Sequence, residues 1–261
     1  MIPKVIHYCW FGGNPLPKLA KKCIKSWKKY CPDYKIIRWD ESNYDISAAP
    51  LYVRQAYEAK KWAFVTDYVR LQIVYERGGI YLDTDVELLR SLDCVLDNHA
   101  YFGIENEKYI ATGLGFGAEA GAIILQELMQ DYAQIPFIRD DGTFDQESCV
   151  VRNTRTFLRH GFSQINEEQL LLDNVRILPM SWLCPLDYWS ASGEIVEHTL
   201  SIHHFSASWM PKEERMKREK RVRNRLKAAR KEWFRYLPNR AISKLVGECN
   251  YQRIRSLIKR K

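Results

Sequence analysis

Residues 62–88 read WAFVTDYVRLQIVYERGGIYLDTDVEL, and this stretch combines a helix pattern with a glycine pair and two carboxylates. Apolar side chains recur every four positions from Val65 to Ile73, which predicts a helix with one buried face. Gly78 and its neighbouring glycine suit the left-handed backbone found where helices end. The apolar residues 80–82 then predict a short buried strand, so the stretch indicates an α/β fold.

The two carboxylates follow directly after that strand. Asp83 and Asp85 are two positions apart, so in an extended backbone both side chains point to one side, separated by about 6.5 Å. Carboxylate, water and phosphate oxygens are the ligands that Mg²⁺ and Mn²⁺ prefer. The pair therefore predicts a cation site that bridges the protein to a diphosphate, although an isolated D-x-D is common in surface loops.

The context of the D-x-D makes it specific. DYVR (67–70) followed by ERGGIYLDTD (76–85) resembles the sugar-binding DXD segment of glycosyltransferase family 32. That family includes capsular-polysaccharide glycosyltransferases and yeast-type outer-chain mannosyltransferases, and the large glucosylating toxins share the segment. The resemblance implies a GT-A-like, Rossmann-like fold and transfer from a nucleotide-diphosphate sugar with retention of configuration, assisted by Mn²⁺ or Mg²⁺.

The resemblance also implies roles for individual residues. Asp67 and Arg70, one helical turn apart, would bind the donor sugar. Asp83 would contact ribose or sugar, with a water-mediated metal contact, and Asp85 would ligate the metal directly. Tyr81 would pack beside the donor.

Both ends of the region 1–210 extend the resemblance. The opening IPKVIHYCWFG (2–12) matches a family segment whose tryptophan packs on the nucleotide base, so Trp10 is a base-stacking candidate, with core packing as the alternative. In TLSIHHFSASW (199–209), His203 and His204 point to opposite faces of a strand, so at most one reaches the site. By the resemblance, one of these histidines would ligate the metal, with His203 slightly favoured, and Ser208 and Trp209 would bind the phosphates.

The order of elements predicts the fold. Strands at 4–11 and 35–39 flank a helix at 17–30, which indicates a βαβ unit and a mixed, mainly parallel sheet with helices on both faces. Ligands of such sheets bind beyond the carboxyl ends of the strands, where Trp10 and the two aspartates lie. Further helices are predicted at 48–61, 120–132 and 150–160, and further strands at 100–105 and 175–179. The glycine-rich segment 110–117 suits either a close approach to a ligand or a bulge.

Charge divides the chain into two parts. Residues 212–261 hold 19 Lys and Arg against 5 Asp and Glu, a charge of +14, so the remainder carries −6 of the total +8. We therefore expect a catalytic domain at 1–210 and a basic helical extension at 211–261, whose amphipathic helices suit an anionic membrane surface. The alternative is a solvated helical hairpin. No nucleic-acid module is recognised.

The seven cysteines form no C-x-x-C pair, and the sequence contains neither an apolar run of membrane-spanning length nor a signal peptide. We therefore expect reduced thiols in a cytoplasmic protein. The basic tail would make this protein peripheral on the inner face of the membrane.

The sequence as a whole predicts a metal-dependent retaining glycosyltransferase. Its donor would be a nucleotide-diphosphate sugar, with UDP-sugars favoured and GDP-mannose as an option. Its acceptor would be a saccharide or lipid-linked glycan in surface polysaccharide synthesis. Two alternatives stay open: a nucleotidyltransferase, which would release pyrophosphate, and a non-catalytic module that binds membranes or polyanions through the tail.

Overall fold

The computed structural model describes residues 1–186 and 193–206, together with 213, 216, 217 and 220. The two long ranges fall within one compact unit. The strands are β1 Val5–Cys9, β2 Lys35–Trp39, β3 Gly79–Tyr81, β4 Val86–Leu88, β5 Ala100–Glu105, β6 Tyr109–Ile110, β7 Phe116–Ala118, β8 Gln169–Leu171, β9 Val175–Leu178 and β10 Ser201–His203. The α-helices are α1 Lys18–Tyr30, α2 Leu51–Glu58, α3 Trp62–Arg77, α4 Ile123–Ala133, α5 Cys149–Arg159 and α6 Met180–Leu183.

The main sheet is mixed and mainly parallel. Its strands lie in the order β2-β1-β3-β7-β5-β9-β8, and β6 pairs with β5. Within that path β7 and β8 run against the other five strands, because each forms only antiparallel pairs with its neighbours. The carboxyl ends of β1, β3 and β5 therefore lie at the same edge, and the predicted fold class is confirmed.

Helices cover both faces of this sheet. Alternate residues of β5 divide between two cores, with Phe102 in one and Tyr101 in the other. The first core is closed by α2, α3, α4 and α5, and the second by α1 and α6. Side chains of successive strand residues point to opposite faces, so a sheet with both faces covered needs the nearly continuous apolar run seen in β5.

Two glycines connect α3 to β3 as the sequence predicts. Gly78 has φ +64°, and its amide donates to the Val74 carbonyl at 2.8 Å, which ends the helix. Gly79 has φ +108°, and a Cβ placed on it would lie 2.8 Å from the Val5 carbonyl oxygen. Only glycine fits there without strain, so the pair sets where α3 stops and where β3 enters the sheet.

A second, two-stranded sheet lies beside the main one. Strand β10 pairs antiparallel with β4, and His203 is registered opposite Val86. Helix α1 holds β4 from the other side, because Trp27 Nε1 donates to the Val86 carbonyl at 2.7 Å and the Leu88 amide donates to Ser26 Oγ at 2.9 Å. The chain segment after Asp85 is thus fixed on two sides.

His7 is a buried strand histidine with both ring nitrogens satisfied. Its Nε2 lies 3.0 Å from the Gly78 carbonyl oxygen, and its Nδ1 accepts a hydrogen bond from Trp39 Nε1 at 3.1 Å. Burial lowers the pKa of His7 to about 4. The imidazole is therefore neutral, and its contact with Gly78 fixes the α3–β3 junction against β1.

Several details differ from the sequence-based expectations. The helix expected over 48–61 is limited to α2, and β6, β8 and α6 were not predicted. Ser208 and Trp209 lie outside the described residues. The predicted basic helices of the tail also lie outside them, apart from the single positions 213, 216, 217 and 220. Among the helices that the structure describes, none has the length and apolarity required to span a bilayer.

Candidate active site

The two aspartates of the D-x-D lie on a tight turn between β3 and β4. The Val86 amide donates to the Asp83 carbonyl at 2.9 Å, and this bond closes the turn. The expectation of an extended backbone with carboxylates about 6.5 Å apart was therefore wrong. The turn brings ligand atoms of Asp83 and Asp85 within 4.8 Å of each other.

His203 completes this group from the far end of the domain. Its Nε2 lies 3.1 Å from Asp85 Oδ1, and ligand atoms of Asp83, Asp85 and His203 all lie within 4.8 Å of one another. The Ser206 amide donates to Asp85 Oδ2 at 2.7 Å. We call Asp83, Asp85 and His203 the carboxylate–histidine cluster.

The structure does not place His204 in that cluster. The His204 ring points the other way, and its Nε2 lies 2.8 Å from Glu87 Oε2, which also pairs with Lys22 at 2.6 Å. Only its backbone touches the site, because the His204 amide donates to the Asp85 carbonyl at 3.0 Å. The two rings thus lie on opposite sides of the chain, as expected for neighbours at the end of a strand.

The donor atoms of the cluster fit a divalent cation. Two carboxylates and one imidazole suit a metal of intermediate character such as Mn²⁺. His203 Nδ1 is buried and has no hydrogen-bond partner among the described residues. The chemistry and spacing of these side chains therefore agree with the cation site predicted for the D-x-D, without identifying the ion.

Electrostatics separate the two aspartates of the cluster. Burial opposes the charge of Asp85, but His203 and the Ser206 amide overcome it and hold the pKa of Asp85 well below its usual range. Burial raises the pKa of Asp83, and the negative charge of Asp85 adds to this effect while Arg70 opposes it. Asp85 consequently carries its negative charge more readily than Asp83.

Arg70 lies at the centre of a buried polar network on α3. Its Nη2 lies 3.0 Å from Asp67 Oδ1 and 3.5 Å from Asp83 Oδ1. Its Nε donates to the Thr66 carbonyl at 2.9 Å, and Tyr81 donates to Asp83 Oδ1 at 3.0 Å. The network joins the predicted donor-sugar residues to the cluster, and Tyr81 is a buried support for Asp83.

Three residues beside this network were not singled out from the sequence, although two of them lie in the glycine-rich segment 110–117. Thr112 Oγ1 lies 3.5 Å from Arg70 Nη1 and accepts a hydrogen bond from Asn153 Nδ2 at 3.1 Å. Asn153 Oδ1 is buried without a partner in the described part of the chain. A Cβ placed on Gly113 would lie 2.7 Å from Asp83 Oδ2, so the backbone approaches this carboxylate closely.

Two further titratable side chains adjoin the site. Burial raises the pKa of the Cys149 thiol, and the interaction of this thiol with Asp67 lowers the pKa of the Asp67 carboxyl. Glu105, at the carboxyl end of β5, interacts electrostatically with His203 and Asp83. The rule that ligands bind at carboxyl ends of strands would have selected Glu105. Cys149 shows no sequence signal, because α5 reaches Asp67 only through the tertiary fold.

Trp10 lies at the same edge of the sheet, directly after β1. It is partly exposed, and its Nε1 donates to the Asn14 carbonyl at 2.5 Å. Because β1 and β3 are parallel neighbours, Trp10 and Asp83 follow adjacent strand ends. A partly exposed indole at that edge is compatible with base stacking, which stays a prediction.

Comparisons with known proteins identify the region that holds the D-x-D and the Asp67–Arg70 pair. Residues 17–102 match the model of the glycosyltransferase sugar-binding region containing the DXD motif. The chain is 38% identical to inositol phosphoceramide mannosyltransferase 3 of Schizosaccharomyces pombe over 129 residues, which are 48% of this chain and 36% of that protein. It is 29% identical to the initiation-specific alpha-1,6-mannosyltransferase of Candida albicans over 127 residues, 45% of this chain and 32% of that protein.

Solved structures with a similar chain path are also glycosyltransferases by name. The PaToxG glycosyltransferase superposes with a TM-score of 0.47 at 16% identity, covering 60% of this chain and 68% of that one. A glycosyltransferase involved in glycosylation of the major capsid of PBCV-1 superposes with a TM-score of 0.46 at 14% identity, covering 85% and 99%.

The match to the family model contains α3, the glycine pair, β3 and the D-x-D turn. The chain spans about a third of the length of the two mannosyltransferases it matches. Over residues 17–102 it carries the glycosyltransferase sugar-binding region containing the DXD motif.

Proposed function

We propose that this protein transfers a sugar from a nucleotide-diphosphate sugar to a saccharide or lipid-linked glycan, with retention of configuration and in a cation-dependent reaction. The observation that carries this proposal is the carboxylate–histidine cluster next to the buried Asp67–Arg70 pair. A cation site adjacent to a fixed polar network is the arrangement that a charged diphosphate joined to a sugar requires.

The chain's own side chains would position the donor sugar. The Arg70 guanidinium is 4% exposed and is fixed by Asp67 and by the Thr66 carbonyl. A fixed, planar set of donors loses little freedom when it binds hydroxyl groups. Asn153 Oδ1 offers an unused acceptor nearby, and Asp67 offers a carboxylate for the same hydroxyls.

The cluster would hold the diphosphate end. We assign direct cation ligation to Asp85, with Asp83 and His203 as the other protein ligands. When bound there, a divalent cation would offset the negative charge that develops on the departing diphosphate. Trp10 would stack on the base, and Ser208 and Trp209 would bind the phosphates.

The acceptor class and the cellular site belong to the same proposal. The two curated relatives are named mannosyltransferases, so mannose is the first sugar to test, as GDP-mannose beside UDP-hexoses. We further propose that residues 1–210 form the catalytic domain and that the basic residues 211–261 bind an anionic membrane surface, where a lipid-linked glycan would be presented. Mn²⁺ and Mg²⁺ are the ions that we propose, because both bind carboxylate oxygens.

The test is release of nucleoside diphosphate from a panel of UDP- and GDP-sugars with Mn²⁺ or Mg²⁺. We expect slow hydrolysis of one donor that requires the metal and disappears in Asp85→Asn. The matched control is Asp140→Asn, which makes the same substitution at an exposed carboxylate. Full turnover by Asp85→Asn would refute the cation site, and pyrophosphate release from a nucleoside triphosphate would indicate a nucleotidyltransferase.

A further inference from the structure

A polar groove opens on the part of the sheet edge that the donor site does not use. It has a volume of about 500 Å³ and is lined by Asn106, Glu107, Lys108, Gln164, Ile165 and Asn166. Asn106–Lys108 form the turn between β5 and β6, and the other three residues precede β8. We call this feature the β5–β6 groove.

The groove lies next to the site already described. Its turn starts directly after Glu105, whose carboxyl interacts electrostatically with His203 and Asp83. The chain returns from the same turn to Gly113, which lies against the Asp83 carboxylate. At about 3.3 Å per extended residue, Asn106–Lys108 lie within roughly 10 Å of Glu105 along the chain. The β1 and β3 ends carry the predicted donor residues, and the β5 end carries the groove.

The walls of the groove are fixed to each other. Gln164 Nε2 donates to the Lys108 carbonyl at 3.1 Å. The Glu107 amide lies 3.1 Å from Met180 Sδ, and the Met180 amide donates to Asn166 Oδ1 at 2.8 Å. These contacts join the turn, the segment before β8 and the start of α6, so the groove is formed before any ligand arrives.

The backbone conformation of the turn is unfavourable for Glu107. Asn106 and Glu107 have φ +51° and +63°, and the Lys108 amide donates to the Glu105 carbonyl at 3.4 Å. Two consecutive left-handed residues form the pattern of a type I′ turn, for which glycine is the favoured second residue. Glutamate adopts this conformation at a conformational cost, and residues held in such conformations are often found at binding sites.

The side chains of the turn are available for a ligand. Within residues 1–186 and 193–206, the side-chain amide of Asn106 and the carboxylate of Glu107 have no hydrogen-bond or ion-pair partner. One carboxylate and one ammonium group make the groove electrically neutral overall, which disfavours a polyanion. Amides and a carboxylate match hydroxyl groups, because each hydroxyl both donates and accepts.

We propose that the β5–β6 groove binds the saccharide acceptor and that Glu107 is its principal hydrogen-bonding residue. This inference rests on the proposed function. The acceptor hydroxyl would enter from the β5 end of the edge, and the sugar of the donor would lie against Asp67, Arg70 and Asn153. Glu107 would position the acceptor by accepting hydrogen bonds from its hydroxyls, and it takes no part in bond cleavage.

The decisive variant is Glu107→Gly, which relaxes the turn and removes the carboxylate together. We expect its Tm to equal or exceed that of the wild type, since glycine prefers the left-handed backbone. We also expect its ratio of sugar transfer to donor hydrolysis to fall about 10- to 100-fold, the loss expected for one hydrogen bond to a charged group. Glu107→Gln keeps the side-chain size and should show a smaller fall in the same ratio.

The matched control is Lys60→Gly. Lys60 also has a left-handed backbone, with φ +55°, in the exposed turn after α2. Its replacement relieves the same strain away from the groove and should leave the ratio unchanged. The assay uses methyl α-mannoside, methyl α-galactoside and the corresponding disaccharides as acceptors, with the donor that the hydrolysis panel identifies.

The outcomes separate the two proposals. Absence of donor hydrolysis in the wild type would refute the proposed function itself. Hydrolysis with equal transfer ratios in the wild type and Glu107→Gly would overturn only the acceptor groove. Failure of every saccharide in the panel to accept sugar from the hydrolysing wild type would also count against a saccharide in this groove.

Discussion

Gly113 gives the most quantitative test of how the site is built. Its φ lies in the ordinary range, so alanine is acceptable to the backbone. The added Cβ, however, would lie 2.7 Å from Asp83 Oδ2 and 3.3 Å from Arg70 Nη1. Carbon–oxygen contacts are rarely closer than about 3.3 Å, so the Asp83 carboxylate would have to move by about 0.6 Å. Gly113→Ala therefore displaces one cluster residue without removing any polar group.

The expected result is a loss of turnover that exceeds the loss of stability. A misplacement of about 1 Å at a reacting centre costs on the order of 100-fold in rate, so a shift of about 0.6 Å should lower donor turnover roughly 10- to 100-fold. Overpacking by one methyl group costs about 1–3 kcal/mol, which lowers Tm by a few degrees in a chain of this size. Donor hydrolysis and thermal unfolding measure the two effects separately.

The matched control is Gly103→Ala in β5. There the new Cβ would lie 2.8 Å from Leu183 Cδ1, a similar overlap with an apolar side chain. We expect a comparable fall in Tm with a much smaller effect on turnover. Turnover of Gly113→Ala within twofold of the wild type, or an equal loss in both variants, would refute the argument that close backbone approach positions Asp83.

Two further predictions use the histidines. His203→Ala should weaken Mn²⁺ binding about 10- to 100-fold. His204→Ala should change it less than threefold, because His204 contacts Glu87 instead. Calorimetric titration of both variants with Mn²⁺ measures the two affinities, and equal losses would contradict the assignment of His203. His7 is neutral in the folded state with its pKa lowered to about 4, so the stability it contributes is present above pH 6.5 and is lost as the pH falls towards 4. Between pH 7.5 and 5 this group should account for about 2 kcal/mol of lost unfolding free energy. Denaturant titrations should show that His7→Gln removes this part of the pH dependence, and an unchanged dependence would exclude His7 as its source.

The α/β framework could be predicted because its signals are local. The period of apolar residues in α3, the glycine pair after it and the apolar strands β1, β2 and β5 each follow from steric and burial rules that act within a few residues. Strand β8 could not be found this way, because it is a short edge strand with exposed residues such as Leu170. It becomes a strand only by pairing with β9.

The candidate site was predictable in its residue types more than in its geometry. The D-x-D was expected to be extended, but a local amide-to-carbonyl bond within the segment turns it and brings the carboxylates closer. Cys149 and Asn153 carry no sequence signal, and Thr112 is indicated only by its place in the glycine-rich segment 110–117. They reach the buried polar network because α5 packs against β6 and against the segment that follows it, an arrangement that only the complete fold determines.

Strand register explains which of two adjacent histidines joins the cluster. His203 is registered opposite Val86, the residue after Asp85, and the amides of His204 and Ser206 donate to the carbonyl and carboxylate of Asp85. Because side chains alternate along a strand, a slip of β10 by one residue would exchange the two rings and direct His204 towards the cluster. The pairing of β4 with β10, held on its outer side by Trp27 of α1, therefore decides which histidine joins the cluster. With a different register between β4 and β10, the same residues would not bring His203 to the two aspartates.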